Sequence, residues 1–163
     1  MCPCLSDDAD RAADFPYAVE SLLPQSGRMV LIDKVLDTGD NHITVELSVR
    51  DDGLFSGPDG SVPAWVGMEY MAQAVAAYSG YHRKRRGQPI DLGFLLGTRH
   101  YQCSVASFRR GARLTVRVDK IIEAANDMVV FDCRLEGENI RADSKLNLLM
   151  PQDSKKFLAG KGL

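Results

Sequence analysis

Positive charge is not in surplus in this 163-residue chain: 20 basic side chains stand against 22 acidic ones, a formal net charge of −2. Binding to phosphate backbones normally needs a basic excess, so nucleic acid is not an expected partner. Cysteine is sparse as well. The four thiols fall at Cys2, Cys4, Cys103 and Cys133, without the dense spacing of a disulfide scaffold, which points to a reducing compartment. Cys2 and Cys4 have no histidine near them, so a metal site there is short of ligands, and neither a metal nor another cofactor is expected. An apolar leader is missing too. Residues 1–14 carry five charged groups, which argues against a secretory signal and for a cytoplasmic protein. No run reaches the length of a membrane span. The most apolar stretch, residues 64–80, holds 17 residues with Glu69 among them, whereas a spanning helix needs about 20. Internal repeats are absent, and 45% apolar with 26% charged residues is ordinary for a single globular domain.

What is present divides into three parts: an acidic tail over 1–14, a domain over 15–150 and a C-terminal tail over 151–163. Residues 17–23 form a short helical turn that stops at Pro24. Met29 to Leu36 is an apolar run with strand character. Residues 42–49 alternate strictly, with Ile43, Val45, Leu47 and Val49 on one face, as a half-buried strand requires. The Asp37–Asn41 segment between these runs is turn chemistry, so they form a hairpin. A loop rich in Gly, Asp and Pro over 51–61 leads to one long helix, about residues 63–86. Pro63 suits its first position, Gly87 its C-terminal cap, and the basic run His82-Arg-Lys-Arg-Arg86 its negative dipole end. Four more strands follow, at about 90–103, 113–122, 128–136 and 139–149. Consecutive strands with short turns make an antiparallel sheet, and the single helix must cover one of its faces. That helix is apolar all round, so the sheet curves around it. The fold class is α+β, and the part of the helix left uncovered predicts a dimer.

Glu69 is the one charged side chain between Pro63 and His82. A carboxylate on such a helix is costly unless it is paired or hydrogen-bonded, and a carboxyl held away from water suits proton transfer near neutral pH. Gln73, one turn later on the same face, is placed to orient it. The opposite reading has Glu69 reaching solvent or an arginine through a gap. At the helix start, the backbone N–H groups of Ala64 and Trp65 are donors that can polarise a carbonyl or thioester oxygen.

The run VPAWVGMEYMAQAVAAYSGY (62–81) resembles the central helix of hot-dog-fold 3-hydroxyacyl-[acyl carrier protein] dehydratases, which begins Pro-Gly and carries Glu-x-Met-Ala-Gln. Pro63-Ala64 stands for the first motif and Glu69-Tyr-Met-Ala-Gln73 for the second. LLPQSGRMVLIDKV (22–35) is similar to the family's Leu-Pro-His-Arg…Leu-Leu-Asp-Arg-Val segment. Phe108…Gly111-x-x-Leu114 is similar to its Phe…Pro-Gly-Asp-x-Leu turn. The variant most resembles members found with aryl polyene and related polyketide-type pathways.

The resemblance implies a curved sheet around one central helix and elimination of water from 3-hydroxyacyl thioesters of acyl carrier protein, as in fatty acid biosynthesis. It implies Glu69 as the proton-transfer residue, amides of Ala64 and Trp65 on the thioester oxygen, and an acyl pocket involving Gly67, Gln73, Gly93 and Phe94. Trp65 and Tyr70 are further candidates for the lining of that pocket, with ordinary core as the alternative. In the family a histidine from the loop before the helix completes the site across a dimer interface. Its place is taken here by Phe55, and the Leu-Pro-His histidine is replaced by Gln25; neither shuttles protons near neutral pH. Of His42, His82 and His100, the last follows Gly93–Gly97 and is the nearest substitute. Arg83, Lys84, Arg85 and Arg86, with Arg109, Arg110 and Arg113, are the candidate rim for docking an acidic carrier protein. Three functions stay open: a dehydratase, a catalytically incomplete hot-dog subunit paired with an active dehydratase (hence a homodimer or heterodimer), and an acyl thioesterase on the same fold.

Overall fold

The computed structural model describes residues 15–162, so the tail at 1–14, Cys2 and Cys4 lie outside the described residues. A 3-10 turn at Val19–Ser21 and another at Gly27–Met29 precede the sheet. Strands β1 (Lys34–Thr38), β2 (His42–Ser48) and β3 (Val62–Pro63) come next, then helix α1 (Gly67–Arg85). Strands β4 (Phe94–Cys103), β5 (Ser107–Phe108), β6 (Arg113–Glu123), β7 (Met128–Gly137) and β8 (Ile140–Leu149) follow, and helix α2 (Ser154–Gly160) ends the chain. Six strands form one sheet in the order β1-β2-β6-β7-β8-β4, all neighbours antiparallel.

The alternation in the sequence decides which face of the sheet is buried. Ile43, Val45 and Leu47 of β2, Leu114, Val116 and Val118 of β6, and Val129, Phe131, Cys133 and Leu135 of β7 all point inward and are almost wholly excluded from water. Against them lie Tyr70, Met71, Ala74, Val75, Ala77 and Tyr78 of α1. The curved sheet around one helix matches the hot-dog expectation. Burial pushes the Cys133 thiol up to about 12, so it behaves as a small core hydrophobe.

Three local expectations are corrected. The helix does not begin at Pro63. That residue sits in β3, opposite Ser107 of β5, and a 3-10 turn at Ala64–Val66 leads into α1 at Gly67. A two-residue ribbon is too short to show in sequence period. The strand expected over 29–36 is realised only from Lys34, because the Met29 carbonyl and the Leu31 N–H are taken by the Gln73 side chain of α1, and pairing with β2 begins only at Asp33 N–H to Glu46 O. The C-terminal segment is not a loose end: α2 is capped by Asp153, whose side chain accepts from Lys156 N–H at 3.0 Å. At the other end of α1, Gly87 N–H bonds to Lys84 O and Gln88 N–H to Arg83 O. With Gly87 at φ +68° this is a Schellman stop, as the expected cap implies.

Two close approaches position the helix. A Cβ on Gly80 would press into the Leu22 carbonyl, and one on Gly67 would meet the Tyr101 hydroxyl. Both glycines therefore let neighbouring segments touch the helix backbone. Strand β4 is an edge of the sheet with Leu92, Leu95 and Leu96 about half exposed. No described helix is long and apolar enough to cross a membrane.

Candidate functional site

Glu69 lies in the first turn of α1, where the helix dipole favours a negative charge. Gln73, wholly buried, donates through Nε2 to Glu69 Oε1 at 2.9 Å and to the Met29 carbonyl at 2.7 Å. Its Oε1 accepts from Leu31 N–H at 2.8 Å. A single amide thus ties the 29–31 segment to the helix and holds one carboxylate oxygen. The other oxygen of Glu69 makes no hydrogen bond among the described residues.

The helix stripe that starts at Glu69 continues through Ala72, Ala76, Ser79 and Arg83, all of them half-buried. Their spacing of three and four residues puts them in one line. They form one wall of a cleft of about 440 Å³, within the range of small-molecule sites. Gly93 and Leu95, just before and within β4, with Leu148 and Met150 from β8 and its end, form the facing wall. α1 packs mainly on β2, β6 and β7, and β4 reaches it at Gly67 through Tyr101, so toward Gly93 and Leu95 the edge strand leaves this gap. Small side chains on the helix keep it open. At the far end from Glu69 stand His82, Arg83, Arg86, Lys120 and Glu123. Lys120 and Glu123 are paired at 2.6 Å. Gln25 also lines the cleft, and its buried Oε1 has no hydrogen-bond partner among the described residues.

Several expected site residues are placed elsewhere. The Ala64 amide is not a free donor, since it bonds to the Ala106 carbonyl at 3.0 Å across the β3–β5 ribbon. Trp65 is 58% exposed and meets Phe55 edge to face, with ring centroids 6.1 Å apart; neither lines the cleft. Gly67 is buried against Tyr101 and Phe108, and Phe94 stacks on Phe157 of α2. Gln73 serves Glu69 and not the cleft. Tyr70 is core, 4% exposed. His100 pairs with Asp143 at 2.9 Å, away from Glu69. Only Glu69 and Gly93 of the expected pocket residues line it together.

The basic residues do not form one rim. The Arg83 side chain is turned in and bonds to the carbonyls of Pro89, Pro151 and Gln152. Lys84 lies over Tyr17 and Arg85 over Tyr81. Arg109 and Arg110 pair with Glu138 and Asp51 in the turn before β6. That turn is at the Arg113 end of β6, whereas the C-terminus of α1 is at its Lys120 end, about 23 Å away at 3.3 Å per residue. The missed wall residues Ala72, Ala76 and Ser79 were signalled by their spacing from Glu69. Nothing in the sequence marked Asp91 or Ser154.

A model of the ApeP-like family, described as ApeP dehydratase, matches residues 17–159. No curated protein matches the chain. Among solved structures it is similar to the dehydratase heterocomplex ApeI:P from Xenorhabdus doucetiae, at 30% identity and a TM-score of 0.78, covering 88% of this chain and 97% of that one. The homologue of HP0420 from Helicobacter felis shares the fold at 9% identity and a TM-score of 0.56, over 82% of this chain and 98% of that one. So does Cj0977, a sigma28-regulated virulence protein from Campylobacter jejuni, at 11% identity and a TM-score of 0.51, over 83% and 89%.

Proposed function

Because this chain belongs to the ApeP-like dehydratase family, we propose that it contributes Glu69 to a dehydratase site completed by a second hot-dog subunit. The reaction is loss of the α-proton and the C3 hydroxyl from a 3-hydroxyacyl thioester, giving the 2-enoyl thioester and water. Glu69 carries one proton transfer, a partner's side chain the other, and the acyl chain lies along the Ala72–Ala76–Ser79 wall. One observation carries this reading: the cleft holds Glu69 at one end, and its one histidine, His82, stands 13 residues along the helix, about 20 Å away. Among the described residues, therefore, the cleft brings no histidine of this chain to the carbon atoms that Glu69 serves. The half-exposed leucines on the β4 edge support an added subunit, since such an edge is otherwise a liability. The heterocomplex named for the similar Xenorhabdus structure supports the same pairing.

The carried substrate is an acyl carrier protein thioester. With the acyl chain running from Glu69 toward Arg83, the carrier arm leaves at the N-terminal end of α1. Arg109 and Arg110, at that end, are the better docking pair for an acidic carrier than Arg83 to Arg86, since exposed ion pairs are weak and exchangeable. The Trp65 amide, in the 3-10 turn that leads into α1, is the expected donor left for the thioester oxygen.

The experiment offers a 3-hydroxyacyl carrier thioester to the chain alone, to a candidate hot-dog partner alone and to the mixture, with enoyl product read by mass. Turnover is expected in the mixture and to fall about 100-fold or more in Glu69→Gln. Undiminished turnover of the mixture with Glu69→Gln would leave this chain a scaffold only. Release of free acid would make it a thioesterase.

A further inference from the structure

At its far end, where Lys120 and Glu123 of β6 also stand, the cleft is bordered by a strap, residues 150–154, that follows β8 and is held down from two sides. Arg83, one of the cleft-lining residues, donates to the carbonyls of Pro151 at 3.3 Å and Gln152 at 2.9 Å, and to that of Pro89 at 3.2 Å. Its guanidinium also lies 3.5 Å from the Asp91 carboxylate, both side chains being less than one-fifth exposed. Asp91 in turn accepts from Ser154 N–H at 2.9 Å and from the Ser154 hydroxyl. Burial pushes the Asp91 carboxyl up, but the Ser154 hydrogen bonds and Arg83 outweigh it and hold the group below the usual carboxylate range. Phe157, in the helix that follows, stacks on Phe94 at 5.9 Å and seats the strap against β4.

Three segments distant in sequence therefore meet at one arginine and one aspartate, and all of them border the cleft: Arg83, Asp91, Pro151 and Gln152 line it. A polar latch in this position differs from an apolar end wall in kind. It is anchored by a few directional bonds, so removing one donor releases the strap while the core under the helix stays packed. Arg83 stands 14 residues from Glu69, about 21 Å along the helix at 1.5 Å per residue. That distance is the length available to an acyl chain whose reacting carbons are at Glu69.

We propose that the Arg83–Asp91–Ser154 latch is the chain-length determinant of the acyl cleft. This rests on the cleft being the acyl site, as argued above, but not on which subunit supplies the second proton carrier. Chains that end short of the latch bury every methylene, and longer ones are stopped by it.

The test measures binding, so it does not depend on turnover. Acyl-pantetheine amides with saturated chains of graded length are titrated into the protein in its native assembly. Each buried methylene strengthens binding about fourfold, so affinity should climb with length and then level off where the chain meets the latch. In Arg83→Met and in Ser154→Ala the break point should move to chains longer by about two carbons or more, raising the long-to-short affinity ratio about 15-fold. Ser154→Ala removes one hydroxyl, so it answers the question if Arg83→Met fails to fold. An unchanged break point in a folded Ser154→Ala protein would overturn the latch. Failure of the native assembly to bind any chain length would overturn it together with the acyl cleft, whereas loss of the dehydratase reading alone would show only in the enoyl assay.

Discussion

Gln73→Met is the sharpest perturbation of the arrangement around Glu69. It keeps an unbranched side chain of similar volume and deletes both polar atoms of a wholly buried amide. Three hydrogen bonds go at once: from Leu31 N–H at 2.8 Å, to the Met29 carbonyl at 2.7 Å, and to Glu69 at 2.9 Å. The Leu31 N–H is buried, so leaving it unpaired costs about 1–3 kcal/mol. Met29 is 40% exposed and its carbonyl can find water, so that bond is worth about 0.5–1.5 kcal/mol. Glu69 borders the cleft and is rehydrated at little cost to stability. Relief from burying an amide offsets part of the sum, leaving an expected loss of about 2–3 kcal/mol. In a chain of this size that lowers Tm by about 4–12 °C. Urea unfolding of wild type and variant measures it directly. In the reconstituted dehydration, Glu69 loses the donor that orients it, and kcat should fall about tenfold or more. A stability change under about 0.5 kcal/mol, with dehydration unaltered, would refute the claim that this amide organises the site.

Gly80→Ala should destabilise the fold by about 3 kcal/mol or more despite alanine's better helix propensity, because the new Cβ would sit 2.8 Å from the Leu22 carbonyl carbon and closer still to its oxygen; thermal melts that match wild type would show that the 22–24 segment gives way freely. His82 is held below its ordinary 6.5 by burial, with Arg86 and Lys120 adding to the effect and the Gly39 carbonyl opposing it. The unfolded imidazole therefore takes up protons before the folded one, and stability should fall as pH drops from about 6.5 through the lower folded value. His82→Gln should lose less stability than wild type between about pH 7.5 and about pH 5.5 in urea titrations, and parallel losses would remove His82 as the cause.

Most of the sheet was legible in the sequence because each strand is buried on one face only. Alternation at 43–49 and 129–135 named the core side chains directly. Misplaced elements have a common cause. Residues 29–32 are apolar like a strand, but the Met29 carbonyl and the Leu31 N–H are claimed by Gln73, 42 residues away for the Leu31 bond. Pro63 looked like a helix start, and its ribbon with Ser107 is a pairing that local pattern does not encode. The two arginine clusters looked like one rim because both are basic; their separation is a property of which end of β6 each one borders.

Read alone, the chain determined that one lone acid would sit on an apolar helix inside a curved sheet, since period and charge are carried by consecutive residues. It also determined that no histidine would fall between His42 and that acid, in the loop that leads to the helix. Only tertiary structure decided that a cleft is left between the helix and the β4 edge, that the Ala64 amide is already spent on Ala106, and that Arg83 faces inward to the carbonyls of Pro151 and Gln152. Each of these depends on hydrogen bonds and gaps between segments far apart in the chain, and local composition carries no record of which distant group a donor will meet.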